Sequence, residues 1–195
     1  MDNLNKIKKY IEENNGIIKT SDIVKQGYSK MYLKTLSSKN EIERISRGIY
    51  IDNSTIEDEY YIMQSNTKII YSHMTALYLH GIAEQVPGKF DITVPSSYNS
   101  KKIKDCNIFY ASNEVIDIGI TEIESPYGNL VKLYSIERCI CDIIRSKNRM
   151  DSEQVKKCVK EYIKQNKDNH IKLIDCAKKL KVYNKIISYM EPYYE

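Results

Sequence analysis

Two histidines, His73 and His80, stand seven residues apart in "IIYSHMTALYLHGI" and could share one helical face, the start of a transition-metal site. No third ligand is spaced to join them, so packing or capping is expected of both and no metal is expected. Asp91, Glu122 and Glu124 offer a second chemistry, a carboxylate centre holding a divalent cation for phosphodiester cleavage, with Glu122 and Glu124 on one strand face. The supporting motifs are missing. The chain has no Asp-x-Asp, no Asp/Glu-x-Lys, no glycine followed by serine, no Gly-rich phosphate loop and no His-Glu-x-x-His. A solvated acidic edge strand is therefore expected, with no enzyme activity and no cofactor. A metal-dependent nuclease stays open as an alternative, marked by cleavage that magnesium or manganese supports. Cys106, Cys139, Cys141, Cys158 and Cys176 are odd in number and include no Cys-x-x-Cys, which points to reduced thiols. The seventeen tyrosines are scattered, as packing residues are, and form no base-stacking cluster.

The cations carry a sharper signal. Residues 1–50 hold ten Lys or Arg against six Asp or Glu, whereas residues 51–195 hold twenty of each. A basic excess confined to one segment is the footprint of a nucleic-acid contact. Within it, "ISRGIY" (45–50) sets Arg47 and Gly48 between isoleucines, and Gly48 can take a positive φ, so a tight hairpin with Arg47 at its tip is predicted. Upstream, "YSKMYLKTLSSKN" turns Leu33 and Leu36 inward and leaves Met31, Lys34, Thr35 and Ser38 on the opposite face.

These residues need elements to hold them. Leu4, Ile7 and Ile11 define a first helix that "NNG" (14–16) stops. Thr20 is an N-cap candidate for a short second helix with Ile23 and Val24, closed by Gly27, and Ser29 for a third. Two short helices joined by a glycine turn, then a hairpin, describe a winged helix-turn-helix. In that arrangement Ser29, Lys30, Met31, Lys34 and Thr35 face base edges in a major groove, with Tyr32 and Ser38 beside them. Lys19, Thr20, Lys39 and Arg44 lie at element ends, where phosphate contacts set register. Arg47 would enter the adjacent minor groove or touch its phosphates. The competing expectation is that this outline serves protein contact.

After Tyr50 the texture changes. "IDNSTIEDEYY" predicts a polar linker, with a boundary near 52–58 and a helix over 57–66. Ser72 is a candidate cap for a helix that buries Ala76, Leu77 and Leu79 and ends at Gly81. Strands are predicted in "KFDITVP", "NIFYA" and "GITEIESPYGNLVKLYS", the last broken by a turn at Pro126–Gly128. "SIERCICDIIR" resumes helical spacing, with Arg138 and Asp142 able to pair on its surface and Glu137 near its positive end. Further helices follow through Val155, Val159 and Ile163, then Ile171, Ile174 and Leu180, then Ile186, Ile187 and Met190. The expected fold is α+β: a winged helix-turn-helix over 1–52, then a mixed α/β domain over 57–195 with a helical tail. "MDNLNKIKKYIEENN" has no signal-peptide apolar stretch and no run of about 18 apolar residues occurs, so a cytoplasmic chain without membrane contact is expected.

The succession "ISRGIY", "SHMTALYLHGI", "ITVP", a hairpin and "SIERCICDII" resembles the AbiEi family of antitoxins and repressors from abortive-infection, type IV toxin-antitoxin systems. The resemblance covers nearly the whole chain. It implies an N-terminal domain that represses the protein's own operon at promoter DNA, at inverted repeats, and a C-terminal domain needed for antitoxicity. It also implies a neighbouring nucleotidyltransferase-like toxin, opposed without a stable complex. The family's Glu-Arg-Thr stretch stands here as Glu137, Arg138 and Cys139, followed by Asp142, so the threonine hydroxyl is replaced. The alternative from another class is a domain that grips a partner toxin directly.

Overall fold

A computed structural model describes residues 2–65, 68–166 and 170–193, which divide into two compact units: residues 1–67 with 124–131, and residues 68–123 with 132–195. In the first unit, helix α1 (Asn3–Glu13) turns Ile7 and Ile11 inward. Strand β1 (Ile17–Lys19) follows, then α2 (Thr20–Lys25), α3 (Met31–Ser38), β2 (Ile42–Ser46), β3 (Ile49–Asp52) and α4 (Glu59–Met63). The strands form an antiparallel sheet in the order β1-β3-β2, and its two faces bury different residues. Ile18, Ile42 and Tyr50 join Ile7, Ile11, Ile23, Leu33 and Leu36 in one core. Ile17, Ile49 and Ile51 form a second cluster, covered by Tyr61 and Ile62 of α4. Alternation along a strand puts neighbouring residues on opposite faces, so each isoleucine needs its own cover.

Gly16, with φ +72°, makes the turn into β1 and has no room for a side chain, since a Cβ there would fall 1.8 Å from Thr55 Oγ1. The stretch 52–58, expected as a linker, is part of the packed unit. Asp58 is fully buried. It caps α4 by accepting the Tyr61 N–H at 3.0 Å, and it also accepts the Ser125 hydroxyl at 2.6 Å and the Asn129 amide at 2.9 Å. The compact unit thus extends past the expected boundary, because α4 is needed to cover Ile17, Ile49 and Ile51. Of the helix expected over 57–66, residue 66 lies outside the described residues.

The second unit contains β4 (Ile70–Tyr71), α5 (His73–Leu79), β5 (Phe90–Pro95), β6 (Cys106–Ala111), β7 (Ile120–Glu124), β8 (Leu130–Tyr134), α6 (Ile136–Arg145), α7 (Ser152–Gln165), α8 (Ile171–Lys179) and α9 (Tyr183–Met190). Its sheet runs β6-β5-β4-β8-β7 and is mixed: β4 is antiparallel to β5 and parallel to β8, and β5 is parallel to β6. Helix α6 buries every residue from Arg138 to Ile144 and packs against α5, α7, α8 and α9. The α+β class is as expected. Three details differ. Leu79 is only half-buried. In α8 the inward stripe is Leu173, Cys176 and Ala177, leaving Ile171 68% exposed, and in α9 Ile187 is also exposed. Ser72 occupies the cap position of α5 without capping it, because its hydroxyl contacts His73 Nδ1 at 2.9 Å and accepts from Thr93 at 2.9 Å. Among the described residues, no helix is long and apolar enough to cross a membrane.

Candidate nucleic-acid interface

Helix α3 is held by Leu33 and Leu36, both fully buried, and its opposite face is open. Met31 is 61% exposed, and Ser29, Lys30, Lys34, Ser38 and Lys39 are exposed with it. The turn before it is fixed locally. Gly27 (φ +82°) donates to Val24 O, Tyr28 donates to Ile23 O, and the Ser29 hydroxyl accepts the Met31 N–H at 3.3 Å. Ser29 thus supplies the first-turn bond although Lys30 is the residue next to the helix. Val24, paired with Ile23 in the sequence reading, points outward and is 54% exposed.

The polar residues on α3 are not equally free. The Thr35 hydroxyl donates to Met31 O at 3.1 Å and the Ser38 hydroxyl to Thr35 O at 2.9 Å, so each offers a ligand only its lone pairs. Tyr32 is half-buried against the core and its hydroxyl accepts from Asn3 at 3.0 Å, which places it in a helix-packing position. Lys30, Lys34 and Lys39 make no ion pair among the described residues. An exposed cation without a carboxylate neighbour keeps its full attraction for a phosphate.

Strands β2 and β3 meet at Arg47 and Gly48. Gly48 takes φ +79°, and the register slips between Arg44 and Ser46, which tightens the end of the ribbon. Arg47 is exposed there without an ion pair among the described residues. Thr20 supports the tip from behind, its N–H donating to Gly48 O at 2.7 Å. It is the first residue of α2 and not its cap; Lys19 holds that position. The Lys19 ammonium lies 3.9 Å from the centre of the Tyr61 ring. Burial, with Asp22, Tyr10 and Asp58 nearby, pushes the Tyr61 phenol up to about 12, so the ring under that cation is neutral. Arg44 donates through Nε to Ser46 O at 3.2 Å and braces the tip. Sequence reasoning missed β1, Asp58 and the Lys19–Tyr61 contact.

The other chemistry-bearing residues of the sequence are engaged separately. His73 is fully buried, stacked 3.5 Å from the Phe109 ring centre, and burial with the charges of Arg145, Arg138 and Arg149 holds its imidazole well below the usual range. His80 donates to Tyr134 O at 2.9 Å. Asp91 lies on β5 with two strands between it and β7, which carries Glu122 and Glu124, so the three carboxylates do not converge. Arg138 and Asp142 do pair, at 2.8 Å, but inside the protein and not on its surface, with 0% and 1% of their side chains exposed. Arg138 also donates to Val115 O and Ile118 O at 2.7 and 2.8 Å, and Arg145 donates to Asp142 at 2.7 Å. This cluster is an internal brace. Glu137 beside it is half-buried near the start of α6.

Among the described residues, four helices, an antiparallel three-stranded sheet and an exposed basic helix face define the first unit as a small α+β domain with a cationic side. Residues 5–51 match the family model described as "Transcriptional regulator, AbiEi antitoxin". No curated protein sequence matches the chain. Among solved structures, the RV2827C protein from Mycobacterium tuberculosis is similar in fold, with a TM-score of 0.57 over 92% of this chain and 75% of that one, at 9% identity.

Proposed function

We propose that the first unit is a winged helix-turn-helix that binds duplex DNA, with α3 in the major groove and Arg47 against the neighbouring minor groove. The protein would act as an antitoxin of a type IV, abortive-infection system that represses its own operon. The observation that carries this reading is the set of exposed cations Lys34 on the third helix, Lys30 and Lys39 flanking it and Arg47 at the hairpin tip, none in an ion pair among the described residues. The family match over 5–51 supports the regulator class. Fluorescence anisotropy with duplex from upstream of the protein's gene, titrated with salt, tests it. Each phosphate contact contributes about 0.9 to the slope of log affinity against log salt. Lys34→Ala with Arg47→Ala should lower that slope by about 1.8 if both meet phosphate. An unchanged slope and affinity would remove the proposed interface.

The antitoxin part predicts that co-expression restores growth to cells carrying the adjacent nucleotidyltransferase-like toxin, without the two proteins co-purifying. A second reading, direct grip on a partner, is favoured by Ile171, Tyr183 and Ile187, which α8 and α9 leave 68%, 38% and 39% exposed. A stable stoichiometric complex with the toxin would decide for it.

A further inference from the structure

Two cavities of about 330 and 530 Å³ open in the second unit and share Met74, Gln85 and Gln154 in their walls. Each is within the size range of small-molecule sites. The smaller contains an energetically costly arrangement. Asp91 is 4% exposed and accepts the Met74 N–H at 3.0 Å and the Asn107 amide at 2.8 Å, with no cation in ion-pair range among the described residues. A buried carboxylate that has only the longer-range pull of Arg149 and no ion pair is disfavoured unless its bonds do something. Here they fix the exposed Asn107 amide at the rim, leaving its carbonyl and second N–H without partners among the described residues.

Two cations line this cavity, Lys89 and Arg149, and the second is fixed by an aromatic ring. The Arg149 guanidinium sits 4.4 Å over the Phe109 ring, which His73 stacks against, and its one hydrogen bond among the described residues is a long one of 3.3 Å to Ile108 O. Most of its planar fork of donors is left open. Val86, 64% exposed, gives the same cavity an apolar wall. The larger cavity is walled by α7, which presents Lys157, Lys160 and Lys164 to it, at spacings of three and four residues that fall on one helical face. Among the described residues, Lys157 and Lys164 pair at the surface, at 3.9 Å to Glu153 and 3.5 Å to Glu161, and Lys160 makes no ion pair. Contacts of that kind yield readily to a phosphate.

We infer that the paired cavities bind a nucleotide, with its base against Val86 and Met74, the base's polar edge on Asn107 and Arg149, and its phosphates along the lysines of α7. An inorganic anion would use only the lysines, and a nucleoside only the smaller cavity. Both halves together select a ligand that carries a flat polar ring and a polyanionic tail.

Isothermal titration of the full chain with ATP, GTP, their nucleosides and inorganic tripolyphosphate tests this. A nucleoside triphosphate should bind saturably at one site, about tenfold or more tighter than tripolyphosphate. Lys157→Ala with Lys160→Ala should weaken triphosphate binding about tenfold while leaving nucleoside binding in place. Asn107→Ala, which also removes one of the two bonds to buried Asp91 and is therefore checked for its fold by circular dichroism, should weaken nucleosides and nucleotides alike. Lys34→Ala with Arg47→Ala, which strips the proposed DNA face, should change none of these, so failure here is distinguishable from failure of the DNA reading. Equal binding of tripolyphosphate and nucleotides, no saturable heat from any nucleotide, or an unaltered Asn107→Ala would overturn the inference.

Discussion

Replacing Arg138 by methionine removes the charge and keeps most of the aliphatic volume. Asp142, 1% exposed, would then keep only Arg145, whose side chain is 35% exposed. Val115 O and Ile118 O would each lose a charged donor, at 2.7 and 2.8 Å. Burial already pushes the Asp142 carboxyl up, against the pull of Arg138 and Arg145. Breaking a buried pair from one side costs roughly 3–5 kcal/mol, because the remaining charge stays desolvated. At about 3 °C per kcal/mol for a chain of this size, the melting temperature should fall by about 10 °C. Urea unfolding followed by circular dichroism measures the free-energy loss, and a thermal melt the shift in temperature. Arg138→Met combined with Asp142→Leu should be less destabilised than the sum of the single variants, since the pair then leaves together. A single variant within about 1 kcal/mol of the parent, or a double variant at the full sum, would show that the brace is not a coupled unit.

Asp58→Ala strands the Ser125 hydroxyl, the Asn129 amide and the Tyr61 N–H, each worth about 1–3 kcal/mol when left unsatisfied, so a loss of at least about 3 kcal/mol is expected in the same assay. A change under about 1 kcal/mol would mean that water replaces those bonds. His73, whose folded-state pKa lies well below 6.5, binds its proton more readily in the unfolded chain. Its neutral form therefore costs nothing above pH 6.5, and stability falls by up to about 1.4 kcal/mol per pH unit below it. Asn tolerates the positive φ of 48° at this position and does not titrate, so His73→Asn should be less stable at pH 7.5 but lose that part of the acid slope. Parallel profiles between pH 7.5 and 5.5 would mean that His73 does not titrate on unfolding.

The outward face of α3 was legible because Leu33 and Leu36 fix its inward side, and the hairpin because Gly48 stands beside an arginine between isoleucines. Strand β1 was not legible: three residues after a turn give no periodicity, and Ile17 and Ile18 read as one apolar pair although they face opposite sides of the sheet. Asp58 was hidden in an acidic run whose composition is that of a linker, since its partners Ser125 and Asn129 lie 67 and 71 residues away. The Arg138–Asp142 spacing reads as a surface pair on any isolated helix. Only the carbonyls of Val115 and Ile118 show why it is buried, and local spacing contains nothing about them. In α8 two apolar stripes compete, and tertiary packing chose Leu173, Cys176 and Ala177 over Ile171.

The cover on the back of the first sheet bears on where the first folded unit ends. The family match stops at residue 51, and a chain cut there would expose Ile17, Ile49 and Ile51, which α4 buries to 2%, 1% and 4% exposure. At roughly 1.5–3 kcal/mol for each large aliphatic side chain, the loss is about as large as the whole stability of a small domain. The same sheet carries the hairpin tip with Arg47, and its other face supports α3 through Ile18, Ile42 and Tyr50. The residues proposed to meet DNA are therefore held in place by residues beyond the matched segment, through α4 and the buried carboxylate of Asp58 that caps it.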